Sequence, residues 1–274
     1  NGEVNTLLYN TSVTTQWTPE FRTTTRYRYY DNDNRTPELN FPNYVVEDSS
    51  ATGLAAGVIR RSLSMGYTKQ NASEEFQWRP TKWVTTGAVF GWEQWDRSRR
   101  DVNVTNEFLG KVTADFKLFD VGTLRTSGQY SERRYDKYDS LALARDTYYA
   151  GVITNPATFA TANANGGTNI YMRKFDMANR NETKANVFLD LSGPSGTVFR
   201  DFVLTPTAGL KFDDYPDDPL TFGLKKSNSW NAGIDGTYVF KPGTSIQASY
   251  LYEAYDRFQA GASTTTNSVL GVPT

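Results

Sequence analysis

Taken two residues at a time, the chain separates into segments with one uncharged, often aromatic face and one polar or charged face, the period of an extended strand lying between two different media. Residues 102–118 show it best. Val102, Val104, Asn106, Phe108, Gly110, Val112, Ala114, Phe116 and Leu118 fall on one parity, and Asn103, Thr105, Glu107, Lys111, Thr113, Asp115 and Lys117 on the other. Phe21, Thr23, Thr25, Tyr27 and Tyr29 oppose Arg22, Thr24, Arg26 and Arg28 in the same way, and Leu124, Thr126, Gly128 and Tyr130 oppose Arg125, Ser127 and Gln129. The pattern predicts ten strands, over about 4–17, 20–31, 67–79, 82–96, 102–118, 123–135, 183–191, 201–213, 229–240 and 244–256. Most are long enough to cross a bilayer at a tilt, which takes roughly 9 to 11 residues.

The predicted connections alternate between tight and long. Tight ones fall at Thr18-Pro19, Pro80-Thr81, Asp120-Val121-Gly122, Gly193-Pro194-Ser195-Gly196 and Pro242-Gly243; long ones cover 32–66, 136–182 and 214–228, with a shorter one at 97–101. Short turns on one side and long loops on the other are the arrangement of an outer-membrane barrel, tight turns toward the periplasm and long loops outside the cell. Aromatic residues support it. Trp17, Phe21, Trp78, Trp83, Phe116, Phe119, Phe202 and Phe240 gather beside the tight turns, and Tyr27, Tyr29, Trp92, Tyr130, Phe212, Trp230, Tyr250 and Tyr252 are expected near the long-loop ends. Two aromatic belts flanking smaller residues fit the two headgroup regions of a bilayer. A soluble β-sandwich would use the same aromatics as core.

Composition narrows the chemistry. Among 274 residues only 38% are apolar, while 17 Tyr, 16 Phe and 6 Trp favour strands over helices. No run approaches the roughly 20 apolar residues of a spanning helix. The absence of Cys and His removes disulfides, thiol nucleophiles, Cys or His metal sites and covalent haem attachment from this chain. With no Gly-rich phosphate loop either, an enzyme has little support. Glu74-Glu75 do not form an acid/base pair, because neighbours on a strand point to opposite faces. A net charge of −1, with both signs mixed along the chain, indicates no nucleic-acid surface. Asp213-Asp214-Tyr215-Pro216-Asp217-Asp218 and Asp31-Asn32-Asp33-Asn34 have oxygens that suit Ca²⁺, but they lack EF-hand spacing and are explained more cheaply as Asx-rich turns. No charged n-region with an apolar h-region follows Asn1, so we expect that either a signal peptide has been removed or the chain is an internal piece.

Several stretches together resemble the MtrB/PioB family of outer-membrane barrels, the sheaths that accompany decahaem cytochromes. They are Tyr27-Arg28-Tyr29-Tyr30-Asp31-Asn32-Asp33-Asn34-Arg35-Thr36-Pro37, Tyr67-Thr68-Lys69-Gln70, Trp78-Arg79-Pro80, Gly91-Trp92-Glu93 and Tyr130-Ser131-Glu132-Arg133-Arg134-Tyr135-Asp136. The resemblance implies an all-β, antiparallel up-and-down barrel in the bacterial outer membrane, residues 1–274 forming one barrel region. It also implies a multihaem c-type cytochrome in the lumen, possession of haem c by that partner and not by this chain, and an exchange of electrons with extracellular acceptors or a surface cytochrome. Family members often carry a Cys pair near the mature N-terminus, and barrels of this kind end in an aromatic strand. Neither is present here, and both departures, with the strand number, lead us to expect about ten strands of a larger barrel.

In that arrangement Arg22, Arg26, Arg28, Lys69, Lys111, Asp115, Lys117, Arg125, Arg133 and Lys184 are expected to face the lumen and to position the partner. Any one of them is equally well explained as a wet lumen residue. The rival function is a diffusion porin or substrate-specific channel, which would have the same outer face.

Overall fold

The computed structural model describes residues 1–41, 60–139, 142, 171–192, 201–217, 221–262 and 269–270. All ten expected strands are present: β1 (Val4–Gln16), β2 (Phe21–Asn34), β3 (Tyr67–Thr81), β4 (Val84–Arg97), β5 (Val104–Lys117), β6 (Gly122–Tyr135), β7 (Arg180–Ser192), β8 (Phe202–Asp214), β9 (Phe222–Lys241) and β10 (Thr244–Ala262). Each pairs antiparallel with its neighbour in sequence, giving one up-and-down sheet. Three short pieces complete it. Val269–Leu270 add to the outer side of β10, Met172–Arg173 run parallel to the start of β9, and Asn40–Phe41 pair with Arg60–Arg61. At the usual spacing of about 4.8 Å, ten strands make a wall roughly 43 Å wide, with β1 and β10 at its opposite sides.

Several boundaries differ from the sequence reading. The turn expected at Pro80-Thr81 lies two residues later, at Lys82-Trp83, because the pairing skips from Trp78 to Thr81 and accommodates Pro80 in a bulge. Proline has no N–H for the ladder and is tolerated at such a break. Pro206 acts similarly inside β8, where the ladder to β7 passes from Phe188 to Leu191 without a rung opposite the proline. Asp31–Asn34 are not a turn but the end of β2, in register with Val4–Leu7. β9 begins seven residues earlier than expected, at Phe222, and β10 continues past Asp256 to Ala262. Trp230, Tyr250 and Tyr252 therefore sit well inside their strands and not at the long-loop ends. The Gly193–Gly196 turn, Asp218 and Pro273-Thr274 lie outside the described residues.

Among the described residues no second layer covers either face of the sheet. A solid core exists only at the long-loop end, where Val102, Met177, Ala178 and Tyr215 are buried.

Candidate functional site: the two faces of the wall

The register fixes which side chains share a face. One hydrogen-bonded row carries Thr15, Thr23, Phe76, Ala88, Val112, Gly128, Ala185, Leu210, Trp230 and Ala254; the neighbouring row toward the tight turns carries Phe21, Trp78, Thr86, Ala114, Thr126, Val187, Ala208, Ala232 and Tyr252. This face is apolar and bare. Phe90, Phe108 and Val112 are each more than 60% exposed, and Tyr250 reaches 67%. A soluble monomer rarely leaves a contiguous apolar patch of more than a few hundred Å² to water, and this one runs across all ten strands. Ring contacts knit it together, among them Tyr9 with Tyr27, Phe76 with Phe90 and Trp230 with Tyr252. At the tight-turn edge Phe119 projects almost free beside Trp83, at 5.9 Å, as an interfacial anchor would.

The apolar belt does not follow one row. It is centred near Ser12 on β1 and near Tyr250 on β10, and the row through Ser12 arrives at Arg257, so the belt slides by about seven residues over nine strand-to-strand steps. That slide corresponds to strands tilted roughly 30° from the belt normal, near the inclination of barrel strands in membranes. Glu74 is the exception in the belt. It faces outward beside Phe90 and Thr25, whose hydroxyl donates to it at 2.5 Å, while Glu75 faces inward and meets Arg26 at 2.6 Å.

All ten side chains singled out from the sequence lie on the opposite, polar face. Arg22, Arg26 and Arg28 alternate along β2; Lys111, Asp115 and Lys117 along β5; Arg125, Arg133 and Lys184 share rows with Asp115, Arg28 and Lys111, and Lys69 lies in the row of Trp95 and Thr105. They divide by what they touch. Arg26 is paired with Glu75, Lys69 with Glu93 at 2.9 Å, and Lys184 with Glu182 at 2.7 Å. Arg133 donates to the carbonyls of Ala178 and Phe175 at 2.9 and 2.5 Å, so it holds the chain's own loop. Arg125 lies over the Phe188 ring. Arg22, Arg28, Lys111 and Lys117 have no carboxylate partner among the described residues.

Two features of this face escape a strand-by-strand reading. Glu182, with a side chain only 3% exposed, gathers Lys184, Arg180 and Lys211. It was legible in the alternation Arg180, Glu182, Lys184, had the strand been started three residues earlier. The second is a cap that depends on long-range contacts. The segment 171–179 returns over the polar face at the long-loop end, with Lys174 Nζ on Asp101 at 2.6 Å, Asn179 donating to Asp217 and Met177 fully buried. The Tyr138 hydroxyl accepts the Lys174 N–H, and burial pushes its pKa up to about 12. In the acidic loop Asp213 Oδ2 pairs with Lys211 and Asp217 Oδ1 accepts from Tyr135 and Asn179, while Asp213 Oδ1 and Asp217 Oδ2 are buried without a hydrogen-bond partner.

The cap is tied to the sheet at Gly223, whose φ of 119° excludes ordinary side chains. A Cβ there would stand 2.5 Å from the Arg173 carbonyl oxygen. Gly223→Val is therefore expected to detach the segment 171–179 at a local cost of about 1–3 kcal/mol. Trypsin should then cut after Arg173 or Lys174 at least several-fold faster than in the parent protein. Equal cleavage rates would show that the cap is held elsewhere.

No curated protein matches the chain. A family model does, that of the outer membrane beta-barrel porins MtrB/PioB, over residues 1–269. With an up-and-down sheet, a bare apolar belt and a charged reverse face, the chain belongs to the MtrB/PioB family and its place is the outer membrane.

Proposed function

We propose that this chain forms wall of a tube that sheathes a multihaem c-type cytochrome across the outer membrane, so that electrons pass between the periplasm and extracellular acceptors or a surface cytochrome. The observation that carries the reading is the set of cations on the polar face, Arg22 and Arg28 on β2 and Lys111 and Lys117 on β5, that no carboxylate of the described sheet neutralises. A wall of this kind suits a partner with an acidic surface or exposed haem propionates, since charges on facing surfaces set register and exclude wrong partners. The redox chemistry belongs to the partner's haems, and the wall contributes insulation, a polar lining and position. A tube wide enough for a folded protein needs more strands than ten, about 16 to 18 being required even for an open aqueous channel, so the described sheet serves as part of its wall. The chain acts without catalytic residues of its own in this role.

A diffusion porin or substrate-specific channel is the second reading, favoured by the family's description as porins. Purification from outer membranes in mild detergent separates the two. A sheath is expected to bring haem absorbance with it and to conduct poorly in a planar bilayer; reversing Arg22, Arg28 and Lys111 to glutamate should lower the recovered haem by severalfold while the barrel still assembles. Haem-free protein with steady ion conductance would establish the channel instead.

A further inference from the structure

At the long-loop end of the polar face, between the wall and the cap, lies a cavity of about 520 Å³ lined by four arginines, Arg97, Arg100, Arg133 and Arg180. We propose that this cavity is a binding site for a small multivalent oxyanion of the phosphate or sulfate kind. The inference is independent of whether the tube holds a protein or conducts solutes.

The argument is one of unmet charge. Three carboxylates line the same cavity, and each is already engaged. Glu107 takes Arg180 at 2.8 Å and the Ser131 hydroxyl at 2.8 Å. Asp176 takes Arg100 at 3.0 Å, and Glu93 takes Lys69, the Asn71 amide and the Trp95 indole N–H. Arg97 and Arg133 are left with neutral acceptors only, the Thr105 hydroxyl at 3.0 Å for the first and two backbone carbonyls for the second. In addition the Nε–H groups of Arg100 and Arg180 are buried without an acceptor. Like charges crowded into a partly enclosed, low-dielectric space repel strongly unless a counter-charge joins them. Buried donors without acceptors add a desolvation cost in the same setting.

One tetrahedral oxyanion answers both demands, because its several oxygens accept from guanidinium forks and its charge of about two matches the two unpaired cations. The volume lies within the ~300–1,000 Å³ of small-ligand sites, leaving room for an organic group against Trp95 and Tyr67. The position is equally telling. Every wall residue of the cavity lies at the long-loop ends of β3 to β7, with the cap's Asp176 opposite, so a bound anion would also clamp the cap to the wall.

The test is equilibrium dialysis of labelled inorganic phosphate, and separately of sulfate, against the full-length protein in detergent, with succinate as the carboxylate comparison. Saturable one-to-one binding is expected for phosphate or sulfate, weakened at least tenfold in Arg97→Gln. Arg22→Gln, at the far end of the same face, should bind like the parent. If Arg97→Gln fails to assemble, Arg97→Lys gives the same comparison, since an ammonium keeps the charge but loses the bidentate fork; weakening severalfold is then expected. Succinate binding as tightly as phosphate would reassign the ligand to carboxylates and overturn the proposal as stated. So would no saturable binding at millimolar anion, or equal weakening by Arg22→Gln and Arg97→Gln, which would mean a diffuse lumen potential and no built site.

Discussion

Arginine in place of Val112 is expected to destabilise the assembled barrel by about 2–4 kcal/mol, the penalty for a cation at the midplane of a lipid-facing strand. Val112 is 62% exposed at the centre of β5, with Ala88 and Gly128 beside it on the apolar face. None of these neighbours offers an acceptor side chain to a guanidinium. The long stem is too short to carry the charge to either headgroup region from the middle of the belt, so local thinning or failed insertion is the remaining outcome. Ser127→Arg provides the control one residue away in row and on the other face. It lies between Thr113 and Asn186, among polar neighbours, and is expected to change stability by less than about 1 kcal/mol. The pair is measured by urea titration of folding into lipid vesicles, or by the fraction of protein that keeps folded mobility on unheated gels. Equal tolerance of both substitutions would mean that the bare face does not meet lipid, and the membrane assignment of that face would fall.

The contrast between positions 112 and 127 also marks what sequence could and could not reveal. Period-two alternation fixes parity, and parity alone placed all ten candidate side chains on one face, because a one-residue slip would have turned every charged residue of β5 into lipid. Strand ends were less legible. The alternation predicts β9 only from Ser229, whereas pairing to β8 as far as Lys226, to β10 as far as Gly223 and to Met172 at Phe222 extends it to Phe222. A strand ending at Asp256 puts Tyr250 and Tyr252 near the long-loop end; the extension of β10 to Ala262 moves them inward, where aromatic rings serve as belt surface. Long-range closure left no local trace at all. Arg133 looks like any inward arginine until residues 175–178, more than forty positions later, bring two carbonyls to it. The convergence of Arg97, Arg100, Arg133 and Arg180 has the same origin, since β4, β6, β7 and a connecting loop supply one residue each.

The largest single loss is expected at Glu182. Its carboxylate holds Lys184 at 2.7 Å, Lys211 at 3.3 Å and Arg180 at 3.4 Å, with the Gln129 amide at 3.4 Å, and almost none of it reaches solvent. Without it Arg180 keeps Glu107 and Lys211 keeps Asp213, both at 2.8 Å, while Lys184 is left without a carboxylate, so the loss falls at the lower end of the about 3–5 kcal/mol of a broken buried charge cluster. Glu182→Ala should lower the thermal unfolding midpoint of the detergent-solubilised barrel accordingly. Two companions separate repulsion from lost packing. In molar salt the variant should recover part of the loss, because screening acts on the three crowded cations, while the parent protein changes little. Combining Glu182→Ala with Lys184→Met should cost less than the sum of the two single changes, by about 1–3 kcal/mol, since the second substitution removes the cation that the first one strands. Strict additivity together with no salt response would show that water already solvates this part of the wall. In that case the polar face at the level of β7 and β8 would be an open aqueous surface, and its ion pairs would hold no part of the fold.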